Sequence, residues 1–224
     1  SFTGDIEVRT GRLDAGTVKS GGVTGSLGAV TGGRTLTIQS GASVRFLPNN
    51  VFGGSGKTAS SIPNVVVHGG TLETNRFNIL GNVTLNGGSL RNSNNTDPVT
   101  YDGFQFLGSL TVGGTSASTL ATTTGKGNHL LGSGSNVFTV LDATGDAAVD
   151  FTVTTTLRDG SNDYPGNGAL VKAGPGTMLL TGSHAYTGAT SVSAGTLRVT
   201  GSLGTGPVTV ATGATLGGNG TIGG

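Results

Sequence analysis

The chain has 224 residues, 44 of them Gly, with 10% charged residues, a formal net charge of +1, no Cys and no Trp. Average proteins carry roughly 7% Gly and 25% charge, yet 33% of this chain is hydrophobic, which sets it apart from disordered sequences of low hydrophobicity and high net charge. Six Pro are too few for collagen, the scattered basic residues offer no nucleic-acid face, and missing thiols remove disulfides and thiolate metal sites.

Taken in chain order, the first nineteen residues hold Asp5, Glu7, Arg9, Arg12, Asp14 and Lys19, a charged start that suits a cap or a docking face. Period-two runs of β-branched and aliphatic residues follow, bounded by Gly, Asn or Ser, and each predicts a strand. They are TLTIQ (35–39), SVRFL (43–47), NVVVH (64–68), NVTLN (82–86), SLTVG (109–113), VFTVL (137–141), VDFTVTTTL (149–157), TLRVT (196–200) and PVTVA (207–211). Phe104–Leu107 adds a further strand after the turn at Tyr101. Helical periodicity is absent. Residues 91–103 and 158–168 are polar and turn-rich and read as loops leaving the strand pattern. No apolar run approaches the ~20 residues of a membrane helix.

A repeated phrase selects the architecture. Thr177, Thr196 and Thr215 sit in Gly-Thr-Met-Leu, Ala-Gly-Thr-Leu and Gly-Ala-Thr-Leu, nineteen residues apart in each step. Gly-Gly-Thr-Leu (69–72) and Gly-Gly-Ser-Leu (87–90) stand eighteen apart. A β-sandwich has regular short strands but no reason to repeat one phrase, whereas stacked coils require matching residues at matching positions. The prediction is an all-β fold, a right-handed parallel β-helix (β-solenoid) of about 20 residues per coil. Residues 1–224 then form one domain of roughly eleven coils, a rod of about 50 Å at the strand spacing of a sheet.

Candidate chemistry is sparse. Gly56-Lys57-Thr58 resembles the tail of a phosphate-binding loop, but Val51 stands where its first Gly is required and no helix pattern follows. Five Asp lie close together, Asp142, Asp146, Asp150, Asp159 and Asp163. Asp159, Ser161 and Asp163 alternate as calcium ligands do, without the downstream Glu of an EF-hand, and turn formation is the alternative. Glu7 and Glu73 are the two Glu, and His68, His129 and His184 are isolated, so no acid pair or His-acid constellation is evident in sequence. The aromatics Phe46, Phe52, Phe77, Tyr101, Phe104 and Phe106 are expected to pack in the core rather than stack on sugars. No catalytic, cofactor-binding or metal-binding residue is assigned, and the chain is expected not to be an enzyme.

Residues 170–199, LVKAGPGTMLLTGSHAYTGATSVSAGTLRV, resemble the autotransporter-associated β-strand repeat, also called the passenger-associated transport repeat. The matching positions include Leu170, Lys172, Gly174, Gly176, Thr177, Tyr186, Gly188, Thr190, Gly195 and Leu197. The likeness continues more loosely to Gly224 and echoes in 64–90. His184 departs from the family's usual Asn and is expected to interrupt an Asn ladder. The resemblance implies a right-handed β-helix, secreted or held at the surface of a Gram-negative-type bacterium, of the kind that forms stalks ahead of a membrane β-barrel; barrel-type strands are not evident here.

The two ends differ, since residues 199–224 carry no charge and expose a solenoid edge without a polar cap. The expected function is an extracellular structural solenoid that associates with itself head to tail into fibres, through end residues such as Leu216 and Ile222. The alternative is a stalk or passenger segment of an autotransporter-like adhesin, with surface glycans as a further partner of its loops. A polysaccharide-active enzyme is the third class. Nucleic acid and membrane-spanning segments have no place in the reading.

Overall fold

A computed structural model describes residues 2–16, 24–54, 56–93, 103–123, 127–160 and 166–223. The chain winds as a right-handed parallel β-helix, the hand that parallel crossovers adopt almost without exception. Two long sheets of nine strands each run its length. The first holds Ile6–Val8, Thr35–Ile38, Asn64–His68, Val83–Asn86, Leu110–Gly113, Gly134–Val140, Gly168–Ala173, Thr190–Val192 and Val208–Val210. The second holds Gly11–Ala15, Ala42–Phe46, Thr71–Thr74, Ser89–Asn92, Ser118–Thr122, Phe151–Val153, Thr177–Leu180, Thr196–Val199 and Thr215–Gly218. Every pairing within them is parallel, which excludes the antiparallel sandwich.

The repeated phrases stack as their spacing requires. Thr177 pairs with Thr196 and Thr196 with Thr215, while Leu197 lies between Met178 and Leu216. Thr71 pairs with Ser89 and Leu72 with Leu90. Short coils reach from Val65 to Val83, from Leu170 to Thr190 and from Thr190 to Val208, steps of 18, 20 and 18 residues. Other coils are longer; Leu36 to Val65 takes 29 residues and Phe138 to Lys172 takes 34. The described residues therefore complete nine rungs rather than the eleven expected from a uniform period, because longer third sides consume residues without adding height.

A third sheet explains much of that extra length. It comprises Phe77–Leu80, Gly103–Phe106, Asn128–Leu131 and Thr156–Asp159, four strands in parallel order. Phe104–Phe106 and Asn128–Leu131 are buried on both faces, so they show no apolar–polar alternation. The expected strand over 149–157 is in fact two, Phe151–Val153 in the second sheet and Thr156–Asp159 in the third. The chain turns the corner between them at Thr154 and at Thr155, whose hydroxyl donates to the Gly127 carbonyl at 3.3 Å. Isolated bridges Arg158↔Ala185, Ser183↔Ser202 and Ser202↔Thr221 extend this side into the last coils.

Inside, aliphatic residues form one continuous core from Ala15 to Leu203. A chain of edge-on phenylalanines threads it: Phe52 to Phe46 at 5.2 Å, Phe46 to Phe104 at 6.1 Å, Phe106 to Phe138 at 5.4 Å and Phe138 to Phe151 at 6.3 Å. Packing in the core, the role expected of Phe46, Phe52, Phe104 and Phe106, is the role they have.

Candidate functional site

The polar residues singled out in sequence divide into surface turns, buried pins and exposed ladders. Asp142 accepts the Gly145 N–H at 2.8 Å and Asp146 the Ala148 N–H at 2.7 Å, both closing local turns. Asp159 clamps neighbouring coils, accepting the Gly168 N–H, the Thr187 N–H and the Thr187 hydroxyl. Ser161, Asp163, Tyr101 and Lys19 lie outside the described residues, as does most of the loop placed at 91–103. Among the described residues no group of three or more His, Cys, Asp or Glu gathers where it could hold a metal. Thr58 opens a single 3₁₀ turn, Ala59–Ser61, closed by a reciprocal pair with Ser61, so Gly56-Lys57-Thr58 leads into no phosphate-binding helix.

Asp150 and Lys172 are fully buried on opposite sides of one corner. Burial works to raise the Asp150 carboxyl, but donors from Thr177, Thr144 and Ala143 outweigh it and hold the group below the usual carboxylate range. Lys172 points inward from its strand, and its ammonium donates to the carbonyls of Ala173, Gly174 and Ala194 at 3.2, 2.8 and 3.0 Å. Burial pushes it down to about 8, against the attraction of Asp150. The lysine thus satisfies backbone carbonyls at the corner that ends its strand and at the matching corner of the next coil.

Two histidines serve the third side in the same way. His129 stacks on Phe104 with centroids 5.6 Å apart, and its Nδ1 accepts the Phe104 N–H at 3.1 Å. His184 Nδ1 accepts the Leu157 N–H at 3.0 Å. Burial pushes both imidazoles down to about 4. In the same column Asn78 accepts the Val51 N–H at 2.7 Å through its side-chain oxygen. His184 has no Asn beside it in its column to interrupt: the flanking bridges set it between Leu157 and Leu203, inside the core. His68, by contrast, is exposed and meets Asn86 Nδ2 at 3.2 Å.

Stacking also creates features that no sequence spacing reveals. On the outer face of the second sheet, Asp14, Arg45, Glu73 and Arg91 pair in consecutive rungs, an alternating charge ladder. Arg45 reaches Asp14 at 3.3 Å and Arg12 reaches it at 3.0 Å. The steps of 31, 28 and 18 residues have no common period, which hides the ladder in the linear chain. Glu73 therefore sits between two arginines, and Glu7 is engaged by Gln39 and Arg9.

The two ends differ in structure as in charge. At the start, Arg34 ties the Gly4 carbonyl at 2.7 Å to the Leu27 carbonyl at 3.2 Å and lies over the Phe2 ring. Ile6, Val8, Leu13 and Leu27 are partly buried against the core. At the other end, Val208 and Leu216 are half-buried, and Val210 and Ile222, which point along the core columns, are 44% and 50% exposed. Val208–Val210 and Thr215–Gly218 are the last strands of the two long sheets among the described residues.

Residues 170–199 match the passenger-associated-transport-repeat family. The chain carries a passenger-associated transport repeat. This repeat supplies strands of both long sheets, and its characteristic residues have identifiable tasks. Lys172 pins the corner carbonyls, and the Tyr186 hydroxyl meets Thr190 Oγ1 at 2.6 Å inside the coil. Gly188 lets the backbone pass the coil above, where a Cβ would stand 2.5 Å from the Gly168 carbonyl oxygen. Gly195 adds a left-handed φ of 64° to the same closeness. The adhesin BmaC autotransporter of Brucella suis biovar 1 (strain 1330) is 43% identical over 88 residues, which cover 38% of this chain and 3% of that protein. The chain thus corresponds to a small part of that relative's length. No solved structure matches the chain.

Proposed function

We propose that this chain is a rigid passenger segment, a stalk, of a surface adhesin exported by a Gram-negative-type bacterium. The observation that carries this reading is the repeat at 170–199 built into consecutive coils of a parallel β-helix, where its glycines and Lys172 fit the coils against one another. Such a rod gains length by adding coils and presents loops and ladders along its sides. The named activity of the Brucella protein, adhesion, supports the same assignment. The test places the 224 residues between a secretion leader and a membrane β-barrel translocator and measures protease-accessible display on intact cells. Display is expected, and a Leu197→Asp variant, which puts a charge into the core, should stall. Retention of the native segment in the periplasm with its fold intact would overturn the proposal.

A second reading, head-to-tail association into fibres, draws on the apolar residues Val210, Leu216 and Ile222, which are exposed or half-buried in the described structure; a heterologous contact between copies propagates unless it closes a ring. Sedimentation and negative-stain microscopy of the purified chain test it. Threads that vanish in the Leu216→Lys and Ile222→Lys variants are the expected result; a monodisperse native chain at high concentration would refute it.

A further inference from the structure

The outer face of the second sheet carries its charges in a fixed order. Residues two apart along a strand share a face, so each of its first four strands puts two side chains outside, while Leu13, Val44, Leu72 and Leu90 between them turn to the core. One column reads Asp14, Arg45, Glu73, Arg91, and the column beside it reads Arg12, Ser43, Thr71, Ser89. At the ~4.8 Å spacing of paired strands, these rungs make a patch about 14 Å tall. Asp14 accepts Arg12 Nε at 3.0 Å and one terminal nitrogen of Arg45 at 3.3 Å, and the Asp14 and Arg45 side chains remain 31% and 32% exposed. Among the described residues Glu73 and Arg91 form no ion pair, and Arg91 is exposed. A guanidinium has about five donors and a carboxylate about four acceptor sites, so the column keeps capacity for further partners.

A column that alternates in sign and sums to zero has little attraction for a polyanion or an anionic membrane. Its complement is another alternating column, and the order decides the orientation. Two rods parallel and in register set like charge on like, which is repulsive; a one-rung stagger leaves end charges unmatched. A two-fold axis along the strands instead reverses one rod over the other and keeps each column above its own copy. Asp14 then faces Arg91 of the second copy and Arg45 faces its Glu73, each contact occurring twice, as an isologous interface requires. In the neighbouring column Ser43 meets Thr71 and Arg12 meets Ser89, so no like charges oppose one another.

We propose that two copies of this chain clasp face to face and antiparallel through these four rungs of the second sheet. Four rungs fall well short of the ~800 Å² per partner of a stable complex, and each exposed ion pair contributes little. The expected dissociation constant is therefore on the order of 1 mM, a concentration that tethered rods reach. The inference uses the column order alone and is independent of the stalk and fibre readings.

The test is small-angle X-ray scattering of the 224-residue protein over a concentration series up to about 1 mM, in about 20 mM and about 0.5 M salt. A dimer should form in low salt and dissociate in high salt, where exposed charges are screened. Arg45→Glu alone, or Glu73→Arg alone, should weaken it about tenfold, because two like-charge contacts replace two ion pairs. An equimolar mixture of the two variants should restore it, since each reversed charge then faces its opposite on the other chain. That rescue separates the clasp from any loss of folding in the single variants. Orientation is read with a nitroxide on Thr119→Cys, one rung beyond the patch, its thiol unique in a chain without Cys. It should broaden the Arg12 amide of an isotope-labelled copy and spare that copy's Thr119 amide. The Leu216→Lys, Ile222→Lys variant, which blocks end-to-end contact, should clasp like the native chain. A monomer at about 1 mM in low salt, single variants that associate as the native chain does, a mixture that stays monomeric, broadening centred on Thr119, or loss of the dimer in the end variant would overturn the proposal.

Discussion

Acid should unfold this rod well before its carboxylates titrate. His129 and His184 are 0% and 5% exposed, each accepts a backbone N–H on Nδ1, and both are pushed from 6.5 down to about 4. Protonation of Nδ1 would break that hydrogen bond and bury a charge, so the folded chain resists a proton that the unfolded chain accepts freely. The contribution is complete above pH 6.5 and is lost progressively as pH falls toward 4. At pH 5 each histidine costs about 2 kcal/mol, and the pair about 4 kcal/mol, from 1.36 kcal/mol per pKa unit. That is a large fraction of the ~5–15 kcal/mol that holds a typical domain. Asp150, held below the usual carboxylate range, acts only at lower pH and leaves this window to the histidines. Urea unfolding followed by circular dichroism at pH 7.5, 6 and 5 measures the effect. The double variant His129→Asn, His184→Asn should flatten the profile, because Asn accepts an N–H without titrating, as Asn78 does for Val51. A native chain that loses less than about 1 kcal/mol between pH 7.5 and 5, or a double variant with the native slope, would refute the reasoning.

Other expectations follow from single residues. Lys172→Met removes the donor for three carbonyls and should cost about 2 kcal/mol in urea unfolding; the native chain should gain stability as pH rises from 8 to 10.5, where the unfolded lysine still holds its proton, and the variant should not. Gly195→Ala combines the positive φ with a clash against the coil above and should lower stability by about 2 kcal/mol or more, whereas Gly213→Ala, in open space at a similar φ, should cost less. Arg45→Glu places three acids in consecutive rungs, so its melting temperature should fall at low salt and recover toward the native value in 1 M salt, where the Debye length is about threefold shorter than at 0.1 M.

The strands most legible in sequence were those with one wet and one dry face. Asn64–His68, Thr35–Ile38 and Thr196–Val199 alternate cleanly, and their boundaries fall within a residue or two of the expected ones. Phe77–Leu80 and Asn128–Leu131 escaped because both of their faces are covered, which erases the alternation that marks a strand. The likeness to the family makes His184 an interruption of an Asn ladder, but the third side turns it inward, where its ring fills volume and its Nδ1 accepts the Leu157 N–H.

Local pattern by itself determined that this chain is all-β and stacked: alternation needs only neighbours along the strand, and the Gly-Thr-Leu phrase returns because each coil must present the same residue to the next. The tertiary structure alone decided how long each coil is, which residues share a column and what the corners enclose. Asp14, Arg45, Glu73 and Arg91 became a ladder through coils of unequal length. Column neighbours in a solenoid are set by the summed lengths of loops between them, and no local rule of strand chemistry fixes that sum.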